Sequence, residues 1–500
     1  MTTQTAQSLP ASDALTLPAL ENHIDGTVEA PRVDRHNPLL NPATLEPLQA
    51  QFSSSPEQVE RALAASQAAY EAAEWEGLSA LERADILERI AAELESPAAQ
   101  DGMATADALT TGAVIRVTRL MAALTPYVFR HAADHLRSGA LQRQMPGKAG
   151  DVEVSRAPWG PALLVSPWNG PTAIGSHKIA SALAAGAPCI AKPSEWAPHS
   201  AIIMAQAIAR TGLPKGVFQL VCGNREIGAR MVEDSRIAAV SFTGGTAGGR
   251  AIASACSHDL KPMQLELGGN NPLVVFEDAD LDRAAEGIVY GLTNLNAQWC
   301  RALGRLVVQH SIKEALLERV AQRMAELVIG DPMDDASDMG PMIHRGQYDT
   351  IQRDIDRLLA AGGRAIVTAT LPTLPGYFIA PTLIEGCNPL DTVEEIFGPV
   401  AAVHSFDTEA EALALANGTS YGLAAYVYSG NEARAWAFGR KIRTGGVKIN
   451  GYSLLSLSPT APRGAWGLSG LGEEGTSQSI EFFTGARVVG ASPQDRIGAL

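Results

Sequence analysis

The stretch Ala238-Ala239-Val240-Ser241-Phe242-Thr243-Gly244-Gly245-Thr246-Ala247-Gly248-Gly249 decides the fold. Its first five residues are too few for a helix and too apolar for a strand with one wet face. They read as a strand buried on both faces. The glycines open a helix-length segment, where a backbone without Cβ atoms lets a pyrophosphate approach a helix N-terminus. The spacing is neither GxGxxG nor Walker A, because Arg250-Ala251 follow Gly249 where Lys-Ser/Thr is needed. Taken alone, the cluster reads equally well as a tight turn.

Runs of the same texture lie at 162–165, 188–191, 217–221 and 273–276, each followed by a helix-length polar and Ala-rich segment. Such alternation implies right-handed crossovers and an open, doubly wound parallel sheet. The pattern restarts at 305–309 with a Ser311-to-Glu314 capping box and continues at 365–368, 400–403, 423–428 and 447–450, so two α/β domains in series are expected. Upstream, Val59, Leu63 and Tyr70 mark one amphipathic helix, and Leu81, Ile86, Leu87, Ile90 and Leu94 mark a second, capped by Ser79 and Glu82. The polar segment 141–157 fits neither texture and reads as a projecting hairpin.

Composition excludes several classes. Five hundred residues, 46% hydrophobic and 19% charged, are too many for a small binding module and too apolar for disorder. A net charge of −15 disfavours nucleic acid and anionic membranes. Five widely spaced cysteines without a CxxC pair suggest neither a disulfide framework nor a zinc site, and imply a reducing, cytoplasmic setting. Residues 1–20 contain Asp13 and no Lys or Arg, which reads as a loose tail rather than a targeting signal. No run of about 18 apolar residues suggests a membrane span.

Candidate site residues cluster at strand ends. Pro167-Trp168-Asn169 follows the run at 162–165 and supplies an amide, and Lys192-Pro193-Ser194-Glu195 follows the run at 188–191. Both lie where a doubly wound sheet binds ligands. Glu266, between Leu265 and Leu267 before a glycine turn, has the apolar surroundings that raise a carboxyl pKa toward neutrality. Cys300 has Arg301 beside it, which favours a thiolate. Each has an ordinary structural explanation when taken singly.

Together, and with Glu394-Glu395-Ile396-Phe397-Gly398-Pro399 and Gly467-Leu468-Ser469-Gly470, these motifs fall in the order and spacing of one family. From about residue 23 to 489 the chain resembles the aldehyde dehydrogenase superfamily. The resemblance implies Cys300 as nucleophile, Asn169 as oxyanion donor, Glu266 as general base and Lys178 in proton relay. It implies cofactor contacts from Trp168, Lys192, Ser194, Glu195, Gly244, Gly245, Gly249, Glu395 and Phe397. The implied reaction oxidises an aldehyde to its acid with NAD+, or NADP+, through a Cys300 thiohemiacetal and thioester, without a metal. The implied architecture is a Rossmann-like cofactor domain (1–140 and 158–264), a catalytic domain (265–470) and a small β oligomerisation flap (141–157 and 471–500), assembled as a homodimer or homotetramer.

The chain departs from the family in places. Gly245 stands where Ser is frequent, and Pro462-Arg463-Gly464-Ala465 replaces Pro-Phe-Gly-Gly. Trp299 and Arg301 flank the nucleophile, which suggests an aromatic-lined pocket for an apolar aldehyde. Alternatively, Arg301 or Arg463 anchors the carboxylate of a semialdehyde. A coenzyme A-acylating enzyme is disfavoured by Glu266, and a non-catalytic scaffold by the intact set of Cys300, Glu266 and Asn169.

Overall fold

The computed structural model describes residues 17–147, 150–452, 457–458 and 460–491. The tail expected over 1–20 lies outside them as far as residue 16. Five parallel strands, β1 (Ala162–Val165), β2 (Cys189–Lys192), β3 (Phe218–Leu220), β4 (Ala239–Thr243) and β5 (Met263–Glu266), run in the order β3-β2-β1-β4-β5. Their residues are buried almost throughout, Leu163, Ile190 and Val240 completely, which is why they read as short apolar runs. The order reverses between β1 and β4, so the crevice beyond their carboxyl ends is a topological switch point. Trp168-Asn169 and Gly244-Gly245 both follow strands that end there.

The second sheet contains β6 (Asn271–Val275), β7 (Leu303–Gln309), β8 (Arg364–Ile366), β9 (Thr382–Glu385), β10 (Val400–Phe406), β11 (Ala425–Tyr428) and β12 (Val447–Ile449). Its order is β8-β9-β10-β7-β6-β11-β12, parallel except at β8. The run at 273–276, which the sequence groups with the first series, belongs here as β6 because it pairs with β7 and β11.

Helices α1 (Pro56–Ala72), α2 (Ala80–Leu94), α3 (Pro97–Thr111), α4 (Ile115–Arg137) and α5 (Pro171–Ala184) precede α6 (Thr246–His258). The Ser79–Glu82 capping box forms at α2, but Leu81 is 61% exposed and does not belong to its buried face. The Ser311–Glu314 box does not form. Ser311 Oγ donates instead to Glu277 at 3.2 Å, and the helix Lys313–Ala325 has no side-chain cap. The misfit segment is the antiparallel pair Gln142–Met145 and Val152–Pro158, and the latter also pairs with Thr484–Gly490. A two-residue strand, Gly470–Leu471, joins the first sheet with Gly470 opposite Glu266, bringing the C-terminal segment to the site.

Candidate active site

Two cavities meet at the switch point. The smaller, about 260 Å³, is lined by Asn169, Cys300, Glu395 and Phe397, and the larger, about 550 Å³, by Lys192, Ser194 and Glu195. Trp168 and Gly244 line both, and Gly245 the smaller. Helix α6 starts there, with Gly245 as its N-cap and no side-chain cap, the arrangement that receives a phosphate on backbone N–H groups. A Cβ at Gly244 would stand 2.5 Å from Phe242, whereas one at Gly245 would meet nothing within 4 Å. Gly249 is not a cavity residue. Its missing Cβ makes room for Leu267, whose methyls would lie 2.6 Å away, so it packs α6 against the end of β5. The paired cavities, with a carboxylate and a lysine in the larger, fit a dinucleotide.

The loop before Cys300 is strained and clamped. Leu295, Asn296 and Ala297 all take left-handed backbone, with φ of 49°, 55° and 54°. Such conformations cost L-residues about 1–2 kcal/mol each. Side chains oppose that cost. The Asn271 Nδ2 group donates to the carbonyls of Cys300 (2.9 Å) and Ala302 (2.7 Å), and the Tyr426 and Tyr452 hydroxyls both donate to the Arg301 carbonyl, at 2.9 and 3.0 Å. A Cβ at Gly269 would meet the Cys300 carbonyl at 2.4 Å, so the glycine turn lets β6 and this loop close up.

Burial dominates the electrostatics. It pushes the Cys300 thiol up to about 12, and Glu266 and Glu395 add to the rise against the opposing pull of Arg301. Burial thus outweighs the pull of Arg301 toward a thiolate. Arg301 itself is buried and donates to the Leu423 carbonyl at 3.3 Å. Glu266 is pushed up to about 8 by burial and by Glu474, and its Oε1 has no hydrogen-bond partner among the described residues. Burial also lifts Glu395 to about 7, although its Oε1 accepts the Gly269 N–H at 2.8 Å.

Lys178 is wholly buried, donates to Ser241 Oγ at 2.7 Å and faces Glu474 at 3.7 Å. Burial alone would raise Glu474, but Lys178, His177, Arg463 and Arg301 outweigh it and hold the carboxylate ionised. The Ser241 hydroxyl donates onward to Gln264 at 2.9 Å.

Sequence reading missed Glu474, Asn271, Tyr426, Tyr452 and Arg225, the last of which lines the larger cavity. Asn271 lies two residues after the recognised Gly268-Gly269 turn, which was the one available signal. Glu474 arrives through the pairing Arg463↔Glu474, which no periodicity announces. Trp299 does not line the cavity with Cys300; it is buried, with its ring 6.5 Å from Tyr290 and 6.2 Å from Tyr452.

A doubly wound sheet with a thiol, an amide and a buried carboxyl at its switch point defines an α/β enzyme architecture of the nucleotide-binding class. The aldehyde dehydrogenase family model matches residues 29–489, and the chain belongs to that family. It is 33% identical over 482 residues to a betaine aldehyde dehydrogenase of Cereibacter sphaeroides, covering 96% of this chain and 99% of the relative. It is 38% identical over 343 residues to a succinate-semialdehyde dehydrogenase of Paenarthrobacter nicotinovorans, covering 68% and 76%. Among solved structures, a Pseudomonas syringae aldehyde dehydrogenase C mutant complexed with NAD+ and octanal aligns with a TM-score of 0.88. That match has 31% identity and covers 94% of this chain and 96% of the other.

Proposed function

We propose that the protein oxidises an aldehyde to its carboxylic acid with NAD+, using Cys300 as nucleophile. The observation that carries this reading is that Cys300 lines the same small cavity as Asn169. In this reading the Cys300 thiol releases its proton to solvent as its sulfur adds to the aldehyde carbon, and the oxyanion is held by the Asn169 amide and the Cys300 N–H. The bound cofactor supplies the hydride acceptor. Glu266 then takes a proton from the water that cleaves the Cys300 thioester, and Lys178 with Glu474 passes that proton on. Trp168, Gly244, Gly245, Glu395 and Phe397 hold the cofactor beside Cys300, and Lys192, Ser194 and Glu195 hold its far end. The test is aldehyde-dependent NADH formation, lost by at least about 10³-fold in Cys300→Ala. Persistent activity in that variant overturns the reading.

We also propose the cytoplasm as the setting and a homodimer or homotetramer as the assembly, with the sheet Gln142–Met145, Val152–Pro158 and Thr484–Gly490 as the flap. The exposed Val488 and Val489 support the flap, and sedimentation of a Val488→Lys variant tests it. The catalytic unit is better begun after Glu266, where β5 ends, than at 265.

For the aldehyde, an apolar substrate keeps the support of the octanal-bound relative but loses that of Trp299. A second reading, an aldehyde bearing a carboxylate, is favoured by Arg463. That guanidinium is ion-paired with Glu474 at 3.8 Å without a hydrogen bond, whereas Arg301 donates a hydrogen bond to the Leu423 carbonyl. If it holds, Arg463→Leu lowers kcat/KM for succinate semialdehyde by roughly 10- to 100-fold and leaves octanal within threefold. Equal losses for both refute it.

A further inference from the structure

The amide and the thiol of the proposed site come from different sheets. Asn169 follows β1 in the first, and Cys300 precedes β7 of the second. One short stretch of chain touches the supports of both: the last turn and a half of α3, from Asp107 to Gly112.

At its far end this stretch holds the loop of Cys300. Gly112 closes α3 with φ of 79°, and its carbonyl accepts from Asn296 Nδ2 at 2.7 Å. The same Nδ2 donates to the Pro341 carbonyl at 2.9 Å, and Asn296 Oδ1 accepts the Gly340 N–H at 2.8 Å. Asn296 is 1% exposed, so these bonds face no competition from water. The fit leaves no room for alternatives: a Cβ at Gly112 would lie 2.7 Å from the Pro341 carbonyl, and one at Gly340 would lie 2.0 Å from the Gly112 carbonyl. Asn296 is the middle of the three left-handed residues, and its side chain ties that turn to two other segments at once.

At its near end the stretch holds the helix behind Asn169. The buried Asp107 carboxylate accepts the Thr172 N–H at 3.4 Å in the first turn of α5, whose N-cap, Gly170, offers no side chain. The two ends are joined through Thr111. Its hydroxyl donates to the Asp107 carbonyl at 2.7 Å and accepts the Ala113 N–H at 3.1 Å.

We propose that Asn296 is a positioning residue for the reaction, acting with Asp107 through the end of α3 to hold the Cys300 thiol in register with the Asn169 amide. This rests on the reading of Cys300 and Asn169 given above. Misplacing a nucleophile by an ångström slows chemistry without abolishing binding. Neither Asn296 nor Asp107 lines the cavity that contains Cys300, so each acts through another residue.

The test uses the full chain with Glu266→Gln as parent, in which NADH release is confined to one burst. Asn296→Gly removes the amide while keeping a residue that tolerates φ of 55°, and Asp107→Leu removes the acceptor of the Thr172 N–H at the other end with a side chain of similar size. The expected result is a burst rate constant reduced roughly 10- to 100-fold in each. The burst amplitude stays near one per folded subunit, and the NAD+ dissociation constant stays within threefold. The double variant is no slower than the slower single, because the residues act through one element. A rate constant within twofold of the parent, a loss of amplitude alone, or multiplicative losses in the double variant overturns the proposal. If Asn296→Gly does not fold, the Asp107→Leu rate constant decides by the same criterion. Absence of any burst in the parent, or NADH formation by Cys300→Ala, instead removes the underlying reading and the proposal with it.

Discussion

Glu474 Oε1 lies 3.7 Å from Lys178 Nζ, the lysine fully buried and the glutamate side chain 14% exposed. The lysine helps keep Glu474 ionised, and burial, with the charge of Glu474 adding to it, raises the Glu266 carboxyl to about 8. Glu266 accepts a proton only when ionised, so the thioester-cleaving step accelerates as pH rises through that range. In Glu474→Gln the neighbouring negative charge is gone, and the ascending limb of the deacylation-rate profile moves about one pH unit toward acid. A profile superimposable on wild type would show that burial alone sets the Glu266 proton.

The two half-reactions separate in Glu266→Gln. This variant releases roughly one NADH per active subunit in a burst and then stalls, with steady turnover reduced about 10²- to 10⁴-fold. Stopped-flow fluorescence reads both phases. Wild-type steady turnover would assign water activation to another group, with Glu395, which lines the cavity of Cys300, the first alternative.

Cofactor choice falls to the larger cavity, where Glu195 and Arg225 both contribute to the lining. Lys192 is buried, and its Nζ donates to the Pro193 carbonyl at 3.0 Å, so it is only partly available to offset Glu195. NAD+ is expected to be preferred over NADP+ by about 5- to 150-fold in kcat/KM. Glu195→Gln narrows that ratio by improving NADP+, and Arg225→Ala widens it. A wild-type preference for NADP+ would mean that the cations dominate the local potential.

Ala297 sits at φ of 54° immediately before the Gln298-Trp299-Cys300 segment. Glycine accepts this conformation without Cβ strain, so Ala297→Gly raises unfolding stability by about 1 kcal/mol, read as an increased denaturant midpoint. A lowered midpoint would show that the Ala297 methyl packs for more than its backbone costs.

The parallel strands were legible because burial on both faces leaves a continuous apolar run, and 162–165 was read to the residue. Helices α3 and α4 were not. Helix α3 is rich in Ala and Thr and buried over most of its length, which blurs any stripe, and α4 carries Pro126 inside it. Residues next to glycine-rich strand ends were likewise visible, since local composition marks them. Glu474, Tyr426 and Tyr452 were not, because they reach the site through long-range contacts: Gly470 opposite Glu266 carries Glu474 in, Tyr426 pairs opposite Leu273, and Tyr452 arrives by its hydroxyl bond to the Arg301 carbonyl. The Arg301 inference failed for a related reason: adjacency in sequence gave the sign of its effect on Cys300, but the larger effect of burial depends on the whole fold.

Of the five thiols, Cys189, Cys222, Cys256 and Cys387 are buried and Cys300 alone is partly exposed. For a thiol-directed dye the folded molecule therefore presents a single address, and burial around it keeps that address quiet until alkaline pH or a bound ligand changes the balance. Labelling stoichiometry would count competent sites directly, and labelling rate would report on what occupies the cavity, so the protein can be assayed for ligands before its substrate is known.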